Sequence, residues 1–272
     1  MSVAEAVHRV EMLMGTAIAV DVAHAPSDVD VRASVAKAFA WFDAVDRRFS
    51  TYKPDSEVCR IDRGELRPED FSDDMRTVLD ASEQMRVRTG GYFDVYANRH
   101  LDPSGYVKGW SVQVASDRLL AAGIVNHCIN AGGDVRVRGV SDDGEPWRVG
   151  IRHPWQPDKV AWVVAGSDLA VATSGTYERG LHVIDPFTGQ PASFLRSVTV
   201  TGPDLAVADA YATAAVAMGD RGLSWLAALD GYESAAVTER GDAFRSDRLP
   251  AVSVTRDGEP ASSLRGGPGQ AE

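Results

Sequence analysis

The sequence predicts an α+β fold in which two helix-covered lobes surround a mostly antiparallel sheet, with a ligand in the cleft between them. Helical patterns interrupt runs of short strands without the regular alternation that a doubly wound parallel sheet requires. In the second half of the chain, Val-rich strands follow one another closely, which is typical of antiparallel connections. We expect one domain of two lobes over residues 1–253, because a chain of 272 residues can bury a substantial core.

The first part of the chain is predicted to contain one strand and two helices. The strand over residues 10–22 is interrupted at Met14, and we interpret the glycine after it as a bulge. Apolar side chains spaced by three and four predict a helix over residues 28–49. A second helix, over residues 72–88, is predicted to begin at Ser72, because this N-cap residue precedes two aspartates.

The middle of the chain is predicted to contain one helix and a series of strands. The helix is expected over residues 108–122, after a polar loop. Strands over residues 124–130 and 135–139 enclose a tight turn that contains Gly132 and Gly133. Three further strands are predicted to form a meander, at residues 147–153, 160–165 and 169–173.

The last part of the chain is predicted to alternate between strands and helices. A strand over residues 197–201 precedes an Ala-rich helix over residues 204–218. A short helix is then expected over residues 221–229, followed by strands over residues 233–239 and around residue 244. Residues 254–272 are expected to form a tail. The tail is predicted to be disordered because Gly, Pro, Ser and charged residues dominate it without periodicity.

Composition excludes several classes of function. The net charge of −11 argues against nucleic acid or an anionic membrane surface as a partner. Cys59 and Cys128 lack metal-binding or redox spacing, so we expect free thiols in a reducing compartment. The sequence shows no basic and apolar leader and no apolar stretch of about 18 residues. We therefore predict a cytoplasmic protein without a membrane anchor.

Two segments, one within residues 172–191 and one around Asp209, are predicted to form the halves of a site for a phosphorylated ligand. In the first segment, His182 and Asp185 lie beside a turn, where reactive groups are often displayed. In the second segment, Asp209 and Thr213 are four residues apart in a helical pattern and therefore share a face. Their oxygens are hard ligands of the kind that Mg²⁺ accepts together with phosphate oxygens.

Structural explanations for several of these residues stay open at the level of sequence. Asp209, taken alone, could be a solvated charge on a helix. Tyr92 and Phe93 could be a buried aromatic pair rather than ligand contacts. Gly132 and Gly133 could close a hairpin and also let a cofactor approach the backbone.

Seven sequence blocks resemble one known family in content and in order. They are MGT (14–16), FSTYKPDSEVCRI (49–61), TGGYFDV (89–95), DPSGYVKGW (102–110), NAGGDVRVRG (130–139), ATSGTYERGLHVIDPFTGQP (172–191) and SVTVTGPDLAVADAYATAAVAMG (197–219). On these blocks the chain resembles the ApbE family, the FAD:protein FMN transferases, over most of residues 10–220. The resemblance implies an ApbE-like fold. At Gln113 the family usually has an aspartate, which leaves the role of this side chain open.

The resemblance also implies a metal site and a general base. Mg²⁺ is expected to be bound by the backbone carbonyl of Val107 and by the side chains of Asp209 and Thr213. His182 is the candidate that accepts the proton of an attacking hydroxyl group, and we expect Asp185 to orient it.

A larger set of residues, in the matched blocks and in the loops beside them, is expected to contact FAD. Among them, Lys108 adds a positive charge at the predicted start of a helix, where backbone N–H groups favour phosphate. The full set is Met14, Ser50, Tyr52, Tyr92, Phe93, Asp94, Ser104, Lys108, Trp110, Gly132, Gly133, Thr173, Ser174, Gly175 and Ile184.

The function that the resemblance implies is Mg²⁺-dependent transfer of FMN from FAD to a Thr or Ser side chain of an acceptor flavoprotein, with release of AMP. The chain contains no acceptor sequence of its own, so the acceptor is expected to be another polypeptide. Two alternatives use the same site. One is an FAD pyrophosphatase that yields FMN and AMP, and the other is a protein that binds FAD without chemistry.

Overall fold

In the part of the chain that the computed structural model describes, residues 6–176, 180 and 182–252, one antiparallel sheet of eight strands forms the centre of the fold. In chain order the strands are β1 (Val7–Leu13), β2 (Thr16–Val22), β3 (His127–Ala131), β4 (Asp134–Arg138), β5 (Trp147–Arg152), β6 (Val160–Gly166), β7 (Asp168–Gly175), β8 (Ile184–Asp185), β9 (Gln190–Pro191), β10 (Leu195–Gly202), β11 (Glu233–Thr238) and β12 (Ala243–Arg245). The large sheet has the order β1-β2-β3-β4-β7-β10-β11-β12, while β5 pairs with β6 and β8 pairs with β9. The predicted α+β class is therefore confirmed, and the predicted tail (254–272) lies outside the described residues.

The helices lie between these strands in the chain, and α4 and the Leu205–Met218 helix pack directly on the sheet. They are α1 (Val31–Phe49), α2 (Glu57–Asp62), a 3₁₀ turn (Pro68–Asp70), α3 (Asp73–Arg88), α4 (Ser104–Ala121), α5 (Leu205–Met218) and α6 (Arg221–Ala227). The side chain of Ser72 accepts a hydrogen bond from the Met75 N–H at 3.2 Å, which confirms the predicted cap of α3. Among the described residues, no helix has both the length and the apolar character needed to cross a membrane.

Three predicted elements differ from the structure. The predicted bulge after Met14 is wrong, because Met14 and Gly15 form the two-residue loop of the β1–β2 hairpin, with φ of 53° and 72°. Two central residues with positive φ are typical of the tight turn that matches the twist of a hairpin. The predicted meander is also wrong, since β7 pairs with β4 and β10 rather than with β6. Helix α4 begins at Ser104, four residues before the predicted start.

The two long helices α4 and α5 pack closely because α4 carries glycines on the shared face. A Cβ atom at Gly109 would lie 2.5 Å from the carbonyl oxygen of Leu205, the first residue of α5. A Cβ atom at Gly105, one turn earlier, would lie 3.2 Å from Oγ1 of Thr213. Neither glycine has a positive φ, so the requirement for glycine comes from the close approach of α5 and not from backbone conformation.

The large sheet is covered on both faces. Helices α4 and α5 pack on one face, and alternate residues of β4, including Asp134 and Arg136, point towards them. The intervening Val135 and Val137 point to the other face, where they form a second core with side chains of β5 and β6 such as Val149. The polar residues of β4 thus lie on the same side of the sheet as the helices that carry the predicted ligands.

Candidate active site at one end of the central sheet

Two hairpin turns meet at one end of the large sheet. The N–H of Gly132 donates to the carbonyl of Ala17 at 3.1 Å, and a Cβ atom at Gly132 would lie 2.3 Å from Oγ1 of Thr16. Oδ1 of Asn130 accepts from the N–H of Gly133 at 2.9 Å and closes the β3–β4 turn. The predicted ligand contacts at Gly132 and Gly133 therefore lie beside the β1–β2 loop, which contains Met14.

A buried ion pair lies directly below these turns. Asp134, which follows the glycine pair, is fully buried, and its Oδ2 lies 2.7 Å from Nζ of Lys108 on α4. Its Oδ1 accepts from the N–H of Thr173 on β7 at 3.1 Å. Asp134 therefore connects β4 to α4, which carries Lys108, and to β7, which carries Thr173.

Asp209 lies next to this pair on α5. Its side chain is 2% exposed, and its Oδ2 accepts from the N–H of Gly109 at 3.1 Å. Burial raises the pKa of Asp209 well above its usual range, and the nearby carboxylate of Asp134 raises it further, whereas Lys108 lowers it. The raised pKa favours the neutral acid when no cation is bound, and a bound cation would displace this proton and pair with the carboxylate.

Hydroxyl groups from β7 and α5 lie on the helix-covered face of the sheet, the same side as Asp209, whereas Thr173 and Thr199 point to the opposite face, as Val171 does. Oγ1 of Thr213 lies 3.1 Å from Oγ of Ser174 on β7, at hydrogen-bond distance. Oγ1 of Thr173 lies 2.8 Å from Oγ1 of Thr199 on β10, and Gly175 pairs with β10 at the next position on that face of β7. The structure thus brings Thr213, one turn after Asp209 on α5, into contact with Ser174 of the Thr173–Gly175 segment, and the role of these residues in binding a ligand stays a prediction.

The donor groups fit a hard divalent cation. Among the described residues there is no group of three or more His, Cys, Asp or Glu side chains that could hold a metal ion. A cation beside Asp209 would therefore take further oxygens from Thr213, from the backbone and from a ligand, which is the pattern that Mg²⁺ adopts with phosphates. The carbonyl of Val107 lies inside α4, where the helical hydrogen bond uses one lone pair and leaves the other.

His182 is exposed on the segment that leads into β8. Its Nδ1 lies 3.0 Å from the carbonyl of Gly180, which makes Nδ1 the protonated nitrogen of the neutral ring and Nε2 the basic one. Val183 is buried and anchors the segment in the core, and the next residue, Ile184, begins β8. Because β8 lies beside α5, His182 is held on the same side of the sheet as Asp209.

The expected contact between Asp185 and His182 is not found in the described part of the chain. The two carboxylate oxygens of Asp185 instead accept from the N–H of Phe187 and from Oγ1 of Thr188, both at 2.9 Å. The backbone carbonyl of Asp185 also accepts from the N–H of Gly189 at 2.8 Å. Asp185 therefore shapes the turn between β8 and β9, a role that short side-chain acceptors commonly have.

Two of the predicted FAD contacts lie in the hydrophobic core. The ring of Trp110 makes edge contacts with Trp41 at 5.2 Å and with Phe49 at 5.6 Å, measured between centroids. Phe93 is 3% exposed and packs near Gly105, which favours the core alternative for this residue. The predicted contact of Trp110 with FAD is therefore corrected to a packing role, since its side chain is buried by α1.

The remaining predicted contacts lie in loops around the site. Tyr52 is 94% exposed, and its N–H donates to Oγ of Ser50 at 3.3 Å. Asp94 accepts from the backbone through its Oδ1, and Ser104 is the exposed first residue of α4. These four residues are accessible to a ligand but make no contact with Asp209 in the described structure.

Tyr92 lies closer to the turn that Asp185 forms. Its ring contacts the ring of Phe187, with centroids 4.8 Å apart. Beside this contact, a cleft of about 290 Å³ separates the C-terminal end of α3 from the turn and is lined by Arg86, Val87, Gly90, Gly91, Asp94, Pro186 and Phe187. The loop that carries Tyr92 and Asp94 thus faces the segment that carries His182.

Sequence reasoning missed three residues of the site. Asp134 was interpreted only as part of a tight turn, although an acid directly after two glycines, at the start of a strand, has its side chain on one defined face. Gly105 and Gly109 lie four residues apart in a helix, and this spacing could have predicted a close helix contact. Only the structure shows which helix makes that contact.

Comparisons with known proteins show which family the chain resembles along most of its length. The profile of the ApbE family matches residues 14–99 and 96–236. The chain is similar to the FAD:protein FMN transferase of Vibrio cholerae serotype O1, with 32% identity over 173 residues, 60% of this chain and 52% of that protein. It is also similar to the FAD:protein FMN transferase of Escherichia coli strain K12, with 26% identity over 271 residues, 76% of this chain and 77% of that protein.

Solved structures show the same fold. The flavin transferase ApbE from Vibrio cholerae superposes with a TM-score of 0.79 at 25% identity, over 90% of this chain and 98% of that one. The ApbE protein from Thermotoga maritima gives a TM-score of 0.79 at 22% identity, over 89% and 97% of the two chains. The chain spans about half the length of the Vibrio cholerae sequence that it matches. The family profile covers well over half of the chain, and the chain therefore belongs to the ApbE family.

Proposed function

We propose that this chain is an FAD:protein FMN transferase that depends on Mg²⁺ and modifies a Thr or Ser side chain of an acceptor flavoprotein, with AMP as the second product. The observation that carries the proposal is the convergence of Asp134, Lys108, Asp209 and Thr213 beside two glycine-rich turns. The names of the relatives supply the reaction class, which is FMN transfer from FAD to protein.

The donor set supports a role for Mg²⁺ at this place. Asp209 and Thr213 would hold the ion with the carbonyl of Val107, because all three groups offer oxygen ligands and Asp209 is buried beside a second acid. Mg²⁺, when bound, would neutralise charge on the phosphate oxygens and on the departing AMP. Lys108 lies within this group and adds a positive charge on the side of α4.

The proposed transfer forms one bond and breaks one bond. The oxygen of the acceptor hydroxyl bonds to the phosphorus on the FMN side of the diphosphate, and the bond from that phosphorus to the bridging oxygen breaks. The electron pair of the broken bond leaves with AMP, and the hydroxyl proton passes to Nε2 of His182. The exposure of His182 supports this role, since an acceptor polypeptide has to reach the imidazole from solvent.

Asp185 supports the same step indirectly. It fixes the turn that follows His182 through its contacts with Phe187 and Thr188, and we propose that this turn sets the direction of the imidazole. The loops with Ser50, Tyr52, Tyr92, Asp94 and Ser104 would then contact the flavin or adenosine parts of FAD. Positioning of this kind supplies much of the catalysis in phosphoryl transfer.

A transfer assay tests the proposal. The purified chain is incubated with FAD, MgCl₂ and an acceptor domain, and a denaturing gel is examined for flavin fluorescence while AMP is measured by chromatography. We expect a fluorescent acceptor band and one AMP for each modified acceptor, and no band when the acceptor Thr is replaced by Val. AMP release at an equal rate without acceptor would favour the pyrophosphatase, and intact FAD throughout would favour a protein that only binds FAD.

A further inference from the structure

Gln113 lies where α4, α5 and β4 meet. Its Oε1 accepts from the backbone N–H of Leu205, the first residue of α5, at 3.1 Å. The same oxygen accepts from Nε of Arg136 on β4, also at 3.1 Å. Its Nε2 donates to Oδ1 of Asp117, one turn further along α4, at 3.1 Å. One side chain thus connects the three elements that carry Lys108, Asp209 and Asp134.

The bond to Leu205 satisfies a donor that α5 cannot satisfy by itself. The first N–H groups of a helix have no partner within the helix. The side chain of Asp204 accepts from the N–H of Val207 at 3.0 Å, which leaves the N–H of Leu205 for Gln113. Asp209 follows Leu205 by four residues and therefore lies about 6 Å further along the helix axis.

The hydrogen bond from Arg136 connects the sheet to the same Gln113 side chain. The Arg136 side chain is 2% exposed, and besides Gln113 it contacts the carbonyl of Val137 at 2.8 Å and the carboxylate of Asp168. Asp134 is two residues before Arg136 on β4 and points to the same face. A shift of Gln113 would therefore disturb β4 as well as α5.

The contact at Gly109 complements these bonds. The backbone of Leu205 is so close to Gly109 that α5 cannot approach α4 any further. This contact only limits approach, whereas the hydrogen bond from Leu205 to Gln113 opposes separation and sliding of the two helices. Lys108 lies five residues before Gln113, about 7 Å along α4, so both groups of the site are close to the connection.

We propose that Gln113 is a positioning residue for FMN transfer, which sets the separation of α4 and α5 and thereby the geometry of the Mg²⁺-dependent FAD site. The inference rests on the proposed function, because it assigns a role within that reaction. A displacement of about 1 Å can lower the rate about 100-fold, so a lost connection one turn from Asp209 has a measurable effect.

Three substitutions separate positioning from stability. Gln113→Met keeps the length of the side chain and removes both acceptor bonds, whereas Gln113→Glu keeps the acceptor oxygens for Leu205 and Arg136. Gln113→Asn keeps the amide but is one methylene shorter, and it provides a milder variant if Gln113→Met folds poorly. Gln156→Met, at an exposed loop position, is the matched control for the chemical change.

The test measures FAD affinity with Mg²⁺ and with EDTA, together with kcat and KM for transfer, below the melting temperature of each variant. In Gln113→Met, and to a smaller extent in Gln113→Asn, we expect at least about a tenfold loss of kcat and of the Mg²⁺-dependent gain in FAD affinity. Gln113→Glu keeps both acceptor bonds but places its carboxylate beside Asp117, so we expect values between those of wild type and Gln113→Met, and Gln156→Met should leave both unchanged.

Two outcomes would overturn the inference in distinguishable ways. Suppose that wild type transfers FMN, and that Gln113→Met and Gln113→Asn have the kcat of wild type and the same increase in FAD affinity with Mg²⁺. Only the positioning role is then wrong. If wild type transfers no FMN, the proposed function fails and the inference fails with it.

Discussion

At the scale of single residues, the site depends on a few side chains whose surroundings differ sharply. Asp209 is buried beside a second acid, whereas His182 is exposed on a short segment anchored by Val183. A buried carboxylate suits a cation, and an exposed imidazole suits proton transfer with a partner that arrives from solvent. Replacement of His182 is thus expected to affect proton transfer, and replacement of Asp209 to affect the binding of a cation.

Replacement of His182 tests the proton-transfer role. His182→Ala should lower kcat by about 100-fold or more, because a general base commonly contributes that much. The Kd for FAD should change by less than about twofold, since the imidazole lies outside the buried group around Asp209. Quenched transfer assays measure kcat, and fluorescence titration with FAD measures the Kd.

His8→Gln is the matched control for this substitution. His8 is an exposed histidine on the edge strand β1, and its ring contacts Asp21 rather than any residue of the site. The control should have the kcat of wild type. A His182→Ala protein with wild-type kcat would show that another group accepts the proton.

The sequence predicted some of these residues and missed others for physical reasons. The spacing of Asp209 and Thr213 placed them on one helix face, because helical geometry is local. Asp134 could not be predicted, because its partner Lys108 is 26 residues away and the contact depends on how β4 packs against α4. Trp110 was assigned to the ligand, but its neighbours Trp41 and Phe49 in α1 are even more remote along the chain.

At the scale of secondary-structure elements, the contact between α4 and α5 determines the site. The two helices carry Lys108 and Asp209, and they approach closely only because Gly109 has no side chain. The N–H of Gly109 also donates to Asp209, so the glycine serves both packing and the position of the carboxylate. The boundaries of α3 and α5 were predictable from their caps, whereas the start of α4 was not, since Pro103 provides no side-chain cap.

Replacement of Gly109 tests the close contact. In Gly109→Ala the new Cβ would lie 2.5 Å from the Leu205 carbonyl oxygen, so the helices must move apart. We expect the free energy of unfolding to fall by about 1–3 kcal/mol. The Mg²⁺-dependent gain in FAD affinity should fall by at least about tenfold, because Asp209 moves with α5.

Gly222→Ala is a control with the same kind of clash at a different place. Its Cβ would lie 2.3 Å from the carbonyl oxygen of Ala215, between α5 and α6. It should lower the free energy of unfolding, measured with urea, by a similar amount. It should keep the Mg²⁺-dependent increase in FAD affinity. Equal loss of FAD affinity in both variants would show that Gly109 acts through stability alone.

At the scale of the whole molecule, the large sheet unites segments that are distant in sequence. The fold class was predictable because the mixture of strands and helices is visible in local patterns. The strand order was not, since β7 leaves its sequence neighbour β6 to lie between β4 and β10. Because β7 pairs with β4 and β10, Thr173 contacts Asp134 and Ser174 contacts Thr213. The site itself therefore depends on a non-local contact. The cytoplasmic location stays a prediction from the sequence.

A buried histidine links β3 to α4 and predicts the pH dependence of stability. Nδ1 of His127 lies 2.9 Å from the carbonyl of Ile124, and Nε2 lies 2.7 Å from Oγ of Ser116 on α4. Burial, with a smaller effect of the nearby Arg138 and Arg136, lowers the pKa of His127 to about 4, although the bond to the Ile124 carbonyl opposes the shift. The folded protein therefore keeps this ring neutral in conditions where the unfolded chain protonates it.

The sign of the effect follows from the lowered pKa of His127. Its contribution to stability is fully present above the unfolded pKa of about 6.5 and is lost as the pH falls towards about 4. Between pH 7 and pH 5 we expect a loss of about 2 kcal/mol from this residue. Urea unfolding of wild type and His127→Gln at both pH values measures it, and equal pH dependence in the two proteins would refute the assignment.

The central claim is that Asp209 and its neighbours form a cation site that holds the diphosphate of FAD. The most direct measurement is calorimetric titration of FAD into wild type and Asp209→Asn, each with Mg²⁺ and with EDTA. We expect Mg²⁺ to increase the FAD affinity of wild type by at least about tenfold, and by less than about twofold in Asp209→Asn, where one charged ligand is lost. Equal FAD affinities in all four titrations would contradict the claim.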